Sequence, residues 1–184
     1  MPAQAECQML KVFDCFIGRN PRDCEEACRV LARSRHEFYR SRAADNTSSV
    51  RLLAVLARDP SVLVRTAVAK RVRARAVGMQ SRIRAALLDD PATVVRETIA
   101  DGAMDRPAYL TLARDASSHV RAAVAAATDS QLVLSLLSRD PDECVRVRVA
   151  RRSRRVSVLR RLFADPSGHV VYAAHSTLQW LGAE

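Results

Sequence analysis

A pattern that recurs five times along the chain constrains the fold more than any other feature of the sequence. Each copy is marked by an aspartate, usually followed by proline: Asp59, Asp90, Asp115, Asp140 and Asp165. The last four aspartates are evenly spaced, at about 25 residues, and the first interval is slightly longer. A repeat of this regularity predicts a stack of equivalent units, each of which buries its apolar side against its neighbours.

The same apolar residues surround each aspartate. A leucine precedes it by three positions, a valine follows it by five, and a valine, isoleucine or alanine follows it by nine. These residues are Leu56, Leu87, Leu112, Leu137 and Leu162; Val64, Val95, Val120, Val145 and Val170; and Val68, Ile99, Val124, Val149 and Ala174. The two positions after the aspartate lie one helical turn apart and share a face, which predicts a helix.

The segments around the aspartate complete the prediction for one repeat. Asp-Pro favours a helix start, with aspartate as the cap and proline in the first turn. The stretch before each aspartate, such as VRLLAVLAR, predicts a second and shorter helix, and no segment alternates with period two. The sequence therefore predicts an all-α solenoid of short helical repeats.

The repeat also carries a family resemblance. HEAT repeats share the DP…VR pattern but need about 40 residues for two full helices. The shorter repeat length and the stretch LARDPSVLVRTAVA resemble the leucine-rich repeat variant family over residues 50–175. The resemblance implies a right-handed superhelix of alternating α- and 3₁₀-helices. The Asn-Pro turn that often follows Ala-Val-Ala in that family is missing from every repeat here.

Four of the five cysteines lie close together near the start of the chain, at Cys7, Cys15, Cys24 and Cys28. The stretch NPRDCEEACRVLARSRHEFYRSR predicts one helix capped by Asn20, with the last two of these thiols on one face. In a reducing compartment, clustered thiols favour a metal site over disulfides. The spacing indicates a four-thiolate site and leaves open an iron–sulfur cluster, a structural zinc ion or reduced thiols without metal.

The family resemblance bears on that choice. Some members carry an N-terminal 4Fe–4S module, so the resemblance implies that Cys7, Cys15, Cys24 and Cys28 hold a 4Fe–4S cluster, with zinc as the alternative. Nearby aromatic residues could form an apolar cover for a cluster or simply the core of a small module: Phe13, Phe16, Phe38 and Tyr39. We expect residues 1–46 to form the four-cysteine module and residues 47–184 the helical-repeat solenoid.

Arginine dominates the charge of the chain, which has 30 Lys and Arg against 20 Asp and Glu, a net charge of +10. One column of arginines stands six positions after the aspartates, at Arg65, Arg96, Arg121 and Arg146, and Val171 breaks it. The column could bind a ligand. We favour a ladder in which each arginine bonds the aspartate of its own or a neighbouring repeat, because a stacking device recurs in every repeat.

Two further arginine groups, within residues 70–75 and 146–155, are the candidate partner-binding surface. Their members are Arg71, Arg73, Arg75, Arg151, Arg152, Arg154 and Arg155. They could grip the phosphates of a nucleic acid, but no aromatic residues interleave with them to stack bases. An acidic protein partner, or a merely solvated edge, is the favoured interpretation.

Other features narrow the class of protein. The sequence has no glycine-rich phosphate loop and no nucleophile elbow, so we expect no enzyme. We also expect a cytoplasmic protein without a membrane span, because no signal peptide is apparent and no apolar run approaches about 18 residues. His119, Cys144 and His169 recur four positions after successive aspartates, and we expect ordinary surface or semi-buried side chains there rather than a metal site.

Together these features predict a cluster-carrying helical-repeat protein that serves as a protein-interaction scaffold and is able to sense redox state or transfer electrons. The alternative is a nucleic-acid-binding HEAT-like module with a structural zinc site.

Overall fold

The computed structural model describes residues 21–73, 81–102 and 104–183. These residues form twelve helices and no strand, so the fold is all-α and built from helical repeats, as predicted. The helices are α1 (Pro21–Leu31), α2 (Glu37–Asn46), α3 (Val50–Leu56), α4 (Val62–Arg73), α5 (Ser81–Leu88), α6 (Thr93–Ala100), α7 (Arg106–Leu112), α8 (Ser118–Ala127), α9 (Gln131–Leu137), α10 (Glu143–Arg152), α11 (Val156–Leu162) and α12 (Gly168–Leu181).

The chain packs as two compact units, of which the second begins at Arg96. In the first unit the longer helices α2 and α4 lie side by side, and in the second α8 contacts α10 and α10 contacts α12. The short helices connect these longer ones and pack against them. This boundary between the two units differs from the predicted boundary between the cysteine module and the solenoid. The predicted boundary, between residues 46 and 47, stays a prediction.

One helix is predicted over residues 20–42, but the described part of that stretch, residues 21–42, contains two helices, so that prediction is wrong; the predicted cap, Asn20, lies outside the described residues. α1 ends at Leu31 and α2 begins at Glu37. Between them the backbone turns, and Arg40 Nη1 donates to the carbonyl oxygens of Ser34, at 3.0 Å, and Arg35, at 3.1 Å. Ser34 lies one repeat length before Asp59, so this turn is the first copy of the one that recurs in every repeat.

The short helices differ from the 3₁₀-helices that the family resemblance implied. In the described residues α3, α7, α9 and α11 are α-helices of seven residues each. Hydrogen bonds to the third preceding residue, the kind that defines a 3₁₀-helix, occur where the helix ends, for example from Asp59 N–H to Leu56 O at 3.1 Å. Such helices are longer than the three or four residues that a 3₁₀-helix usually sustains, because its hydrogen-bond geometry is poorer.

The Asp-Pro pair forms the turn before the longer helix, and the helix itself begins three positions after the aspartate. The predicted cap therefore lies two positions too early. In each repeat the aspartate Oδ1 accepts the backbone N–H two positions ahead, as at Ser117, at 2.8 Å, and Ser167, at 2.9 Å. This is the local turn that aspartate side chains favour, and it places that following residue at the helix cap.

The predicted apolar columns form the core. The fifteen side chains three before, five after and nine after the repeat aspartates are all buried, and none is more than 2% exposed. Another column stands ten positions after Ser34 and after each of the first four aspartates, and it contains only alanine: Ala44, Ala69, Ala100, Ala125 and Ala150, each 0% exposed. Because a methyl group is small, it lets neighbouring helices pack closely, at the short end of the usual interaxial distance.

The arginine column forms a ladder with the repeat aspartates, as predicted. Each arginine pairs with the aspartate of the following repeat through Nε and Nη2, and the Nε–Oδ2 distance is 2.7 Å in every pair. The pairs are Arg40–Asp59 and Arg65–Asp90 in the first unit, and Arg96–Asp115, Arg121–Asp140 and Arg146–Asp165 in the second.

The ladder arginines also bind their own repeat. Arg121 Nη1 donates to the carbonyl oxygens of Asp115, at 2.8 Å, and Ala116, at 3.2 Å, and Arg40, Arg65 and Arg146 make the equivalent contacts. One planar guanidinium thus joins the turn of its own repeat to the carboxylate of the next. The forked donor geometry of arginine suits this double role, which lysine could not fill.

We expect Arg146→Ala to lower the free energy of unfolding by about 3 kcal/mol, because it leaves the carboxylate of Asp165 nearly buried without its charge partner. The side chain of Asp165 is only 7% exposed. Arg152→Ala, on the same helix, is the control. It breaks an exposed pair with Asp129 and should cost less than about 1 kcal/mol. Urea unfolding of both variants measures the difference, and equal losses would contradict a specific role for the ladder.

The same pair makes stability depend on pH. The hydrogen bond from Arg146 lowers the pKa of Asp165, burial opposes that shift, and the Ser167 N–H adds to it. A lowered folded-state pKa gives stability that is present above the unfolded pKa of about 3.9 and is lost as pH falls further. The stability difference between the wild type and Arg146→Ala should therefore shrink steadily below about pH 4. A pH-independent difference would rule out this linkage.

Ala116 stands where the other four repeats have proline, at Pro60, Pro91, Pro141 and Pro166. Its turn makes the same contacts as the proline-containing ones, including the Asp115 bond to Ser117 N–H. We therefore expect Ala116→Pro to raise the free energy of unfolding by about 0.4–1 kcal/mol, because proline restricts the unfolded chain. A destabilised Ala116→Pro variant in thermal unfolding would show that the turns are not equivalent.

Candidate metal centre and basic surfaces

Cys28 is the predicted thiol ligand whose side chain the structure describes. It lies on α1 and is 1% exposed. Cys7 and Cys15 lie outside the described residues, as does the side chain of Cys24. The backbone of α1 places residues 24 and 28 one turn apart on the same helix.

Cys28 occupies a core position of the repeat. It stands six positions before Ser34, just as Leu53, Leu134 and Leu159 stand six before their aspartates. Those three leucines are fully buried. The thiol of Cys28 therefore lies at a buried position that leucine occupies in three of the short helices, and this core position extends into the predicted cysteine module.

Glu25 anchors α1 to the end of α2. Its carboxylate accepts hydrogen bonds from Thr47 Oγ1, at 2.7 Å, Ser48 N, at 3.0 Å, and Ser48 Oγ, at 3.1 Å. Burial raises the pKa of Glu25, but these bonds and the charge of Arg29 outweigh it, so the pKa is lowered. The carboxylate thereby satisfies polar groups where α2 ends and α3 begins.

The same anchor recurs in the second unit with a neutral side chain. Gln131 Oε1 accepts from Arg154 N, at 3.0 Å, and from Ser153 Oγ, at 3.4 Å. Thr47 and Ser153 occupy equivalent places, each as the residue that ends a longer helix. α1 is therefore held in the manner of a repeat helix, although its sequence was assigned to the cysteine module.

The donor set fits either metal that the sequence left open. Four thiolates are the ligands of 4Fe–4S clusters and of structural zinc sites, and the burial of Cys28 suits a centre sheltered from water. Among the residues that the structure describes, no group of three or more His, Cys, Asp or Glu side chains could hold a metal ion. The side chains of Cys7, Cys15 and Cys24 lie outside those residues.

The aromatic residues assigned to the cysteine module divide between described and undescribed parts of the chain. Phe38 and Tyr39 lie on α2, where they are 60% and 40% exposed and meet edge to face with ring centroids 5.7 Å apart. Phe13 and Phe16 lie outside the described residues. Their role as a cluster cover stays a prediction.

The first basic group contributes to structure at Arg71. Its Nε and Nη2 both donate to the carbonyl oxygen of Thr47, at 3.2 Å, so it ties the end of α4 to the end of α2. Arg73 is half-buried on the last turn of α4, and Arg75 lies outside the described residues. The group therefore includes at least one side chain that supports the packing of neighbouring repeats.

The second basic group is open to solvent. Arg151, Arg152, Arg154 and Arg155 are all exposed, and they follow one another at the end of α10 and the start of α11. Arg152 Nη2 pairs with Asp129 Oδ1 at 2.7 Å, and Asp129 is itself largely exposed. An exposed pair of this kind contributes little stability, so this part of the surface keeps a strong positive charge.

The recurrent His and Cys positions lie at the surface. His119, Cys144 and His169 are each exposed near the start of a longer helix. The backbone N–H of Cys144 is bonded to the helix-capping carboxylate of Asp142 at 2.8 Å. These positions fit the expectation of ordinary surface side chains.

Arg40 and Glu25 are two structural residues that the aspartate-based repeat pattern does not predict. Counting back one repeat length from Asp59 and Arg65 reaches Ser34 and Arg40, so the repeat register contained the signal. Serine replaces aspartate in that copy, so a pattern defined by aspartate does not include it. Glu25 carried no such signal, since its counterpart Gln131 is a different residue type.

Comparison with protein-family models and with curated protein sequences gave no match for this chain. Within the described residues, every helix is too short or too polar to cross a membrane.

We expect Glu25→Ala to weaken the attachment of α1. The change removes three hydrogen bonds to a charged acceptor and leaves the buried hydroxyl of Thr47 without its carboxylate partner, at a cost of about 1–3 kcal/mol. Glu26→Ala, at an exposed neighbouring position on α1, should change stability by less than about 0.5 kcal/mol. Hydrogen exchange of the α1 amides measures the effect, and unchanged protection in Glu25→Ala would refute the anchor.

Proposed function

We propose that this chain is an iron–sulfur-cluster-carrying helical-repeat protein that acts as a protein-interaction scaffold rather than as an enzyme. Residues Cys7, Cys15, Cys24 and Cys28 would be the cluster ligands. A 4Fe–4S cluster, when bound, supplies a one-electron redox centre, which suits a sensing or electron-transfer role.

The burial of Cys28 in the repeat core is the observation that best supports the proposal. A ligand at a core position links the chemistry of its sulfur to the packing of the short helices. Glu25 lies on the same helix and bonds to the end of α2, so α1 has contacts through which the state of the metal centre could alter the first repeats.

The stacked repeats support the scaffold role. Helical repeats place equivalent positions of successive units side by side, and such extended surfaces commonly serve for binding. In this chain the outward positions vary between repeats more than the ladder and core positions do. That division is expected where the inward residues maintain the fold and the outward residues choose the partner.

The test of the metal centre is purification without oxygen, followed by the absorption spectrum and by measurement of iron and acid-labile sulfide. We expect a brown protein with about four iron and four sulfide per chain. A colourless protein with one zinc per chain would replace the cluster with a structural zinc site. A folded protein without metal would reject both.

Two cysteine variants test the ligand set. Cys24→Ala should lose the chromophore, whereas Cys144→Ala should retain it, because Cys144 lies exposed on α10 and belongs to the ordinary surface positions. Circular dichroism of both variants checks that the helices persist. Retention of the full chromophore in Cys24→Ala would remove that residue from the ligand set.

A further inference from the structure

The last helix of the second unit presents two aromatic rings to solvent. Tyr172 and Trp180 on α12 are 73% and 79% exposed. They are eight positions apart, so they share one face of the helix at a separation of about 12 Å along its axis. Large apolar groups that share an exposed face, with polar residues around them, are a mark of interaction sites.

α10, the neighbour of α12, carries exposed arginines. Arg148 and Arg151 are three positions apart and therefore adjacent on its outer face. α10 packs directly against α12.

Alignment of the repeats by their aspartates shows which positions of α10 and α12 are equivalent. Tyr172 is the counterpart of Val147, since each stands seven positions after the aspartate of its repeat, and Arg148 is the next residue along α10. Because equivalent positions of stacked repeats lie side by side, the register places Val147 beside Tyr172, and Arg151 beside Ser176, which is one helical turn before Trp180.

The surface formed by Arg148, Arg151, Tyr172 and Trp180 has few negative charges of its own. α12 contains no acidic residue, and Glu143 is the one acidic residue of α10. The other two arginines of α10 are engaged elsewhere, in pairs with Asp165 and Asp129. Arg148 and Arg151 therefore present their charge to solvent beside two flat apolar rings.

We propose that this surface binds single-stranded nucleic acid. Guanidinium groups bind phosphates, and aromatic rings stack on unpaired bases, so a single strand can use both kinds of group at once. An acidic protein segment would match the arginines and leave the two exposed rings without a complement. The aromatic residues that are absent beside the arginines in the sequence are supplied in the fold by a separate helix.

Trp180 is the only tryptophan of the chain, so it reports directly on this surface. Titration of the full-length protein with an oligodeoxythymidylate of about 20 nucleotides, longer than one typical binding site, should quench its fluorescence as a base stacks on the indole. Binding should weaken with salt, and the slope of log affinity against log salt should fall by about 0.7 for each phosphate-binding arginine that is removed.

Substitutions test the assignment by fluorescence anisotropy of a labelled oligonucleotide. Trp180→Ala should weaken binding by about fivefold or more, and Trp180→Phe should restore most of it, since an aromatic face is retained. Arg148→Gln and Arg151→Gln should each reduce the salt slope. Arg139→Gln is the matched control, since Arg139 is also exposed and lies in the turn after α9, and the change should leave affinity within about twofold.

Distinct results would overturn the proposal. Equal losses in Arg139→Gln and Arg151→Gln, with none in Trp180→Ala, would show attraction by net charge alone. Displacement of the oligonucleotide by equimolar polyglutamate would assign the surface to an acidic protein partner. Because the test needs no metal, its failure would leave the cluster proposal standing, and failure of the cluster proposal would leave this surface unaffected.

Discussion

The ion pair between an arginine and the aspartate of the following repeat is the interaction on which the rest of this structure depends. It occurs five times in the described residues with the same geometry, and each carboxylate also accepts the backbone N–H that sets up the next helix. Burying a charged pair is costly unless every polar atom is satisfied, and here the donors and acceptors are matched. The ladder thus fixes how one repeat sits on the next, while the apolar columns supply the favourable burial.

The ladder also explains why inward-facing positions admit fewer residue types than outward-facing positions do. Positions that face the ladder, the alanine column or the core admit few residue types, because a larger or unpaired side chain would separate neighbouring helices. Outward positions have no such constraint. At the position seven after the aspartate, for example, the second unit carries the exposed side chains of Glu97 and Tyr172, whereas Ala122 and Val147 in the repeats between them are less exposed. Variation of this kind lets one scaffold present an exposed aromatic residue in one repeat and a carboxylate in another, so different repeats can bind different chemistry.

The proposed metal centre and the proposed nucleic-acid-binding surface belong to different parts of the fold, the first to the amino-terminal helix and the second to the last repeats. α1 carries Cys28 at a core position and Glu25 at an anchoring position, so a metal centre formed there would be continuous with the repeat packing. The surface on α10 and α12 depends on no metal. A cluster-bearing end and a nucleic-acid-binding face are compatible on one chain, because stacked repeats interact mainly with their nearest neighbours and different parts can serve different ligands.

The sequence by itself determined the all-α class, the three apolar columns and the pairing of arginine with aspartate, because each follows from a periodicity that side-chain chemistry imposes on every repeat. It misplaced the helix starts by two positions and joined α1 to α2, since Asp-Pro serves equally well as a cap or as a preceding turn and local propensity cannot choose between them. Only the tertiary structure decided that each ladder arginine pairs with the aspartate of the following repeat rather than with that of its own. It alone showed that α12 packs against α10 and that Tyr172 and Trp180 are open to solvent, because residues separated along the chain meet only when helices stack. Cys28 makes the same point at the other end of the chain, since its spacing predicted a thiol ligand and only the packed helices showed that its side chain is buried.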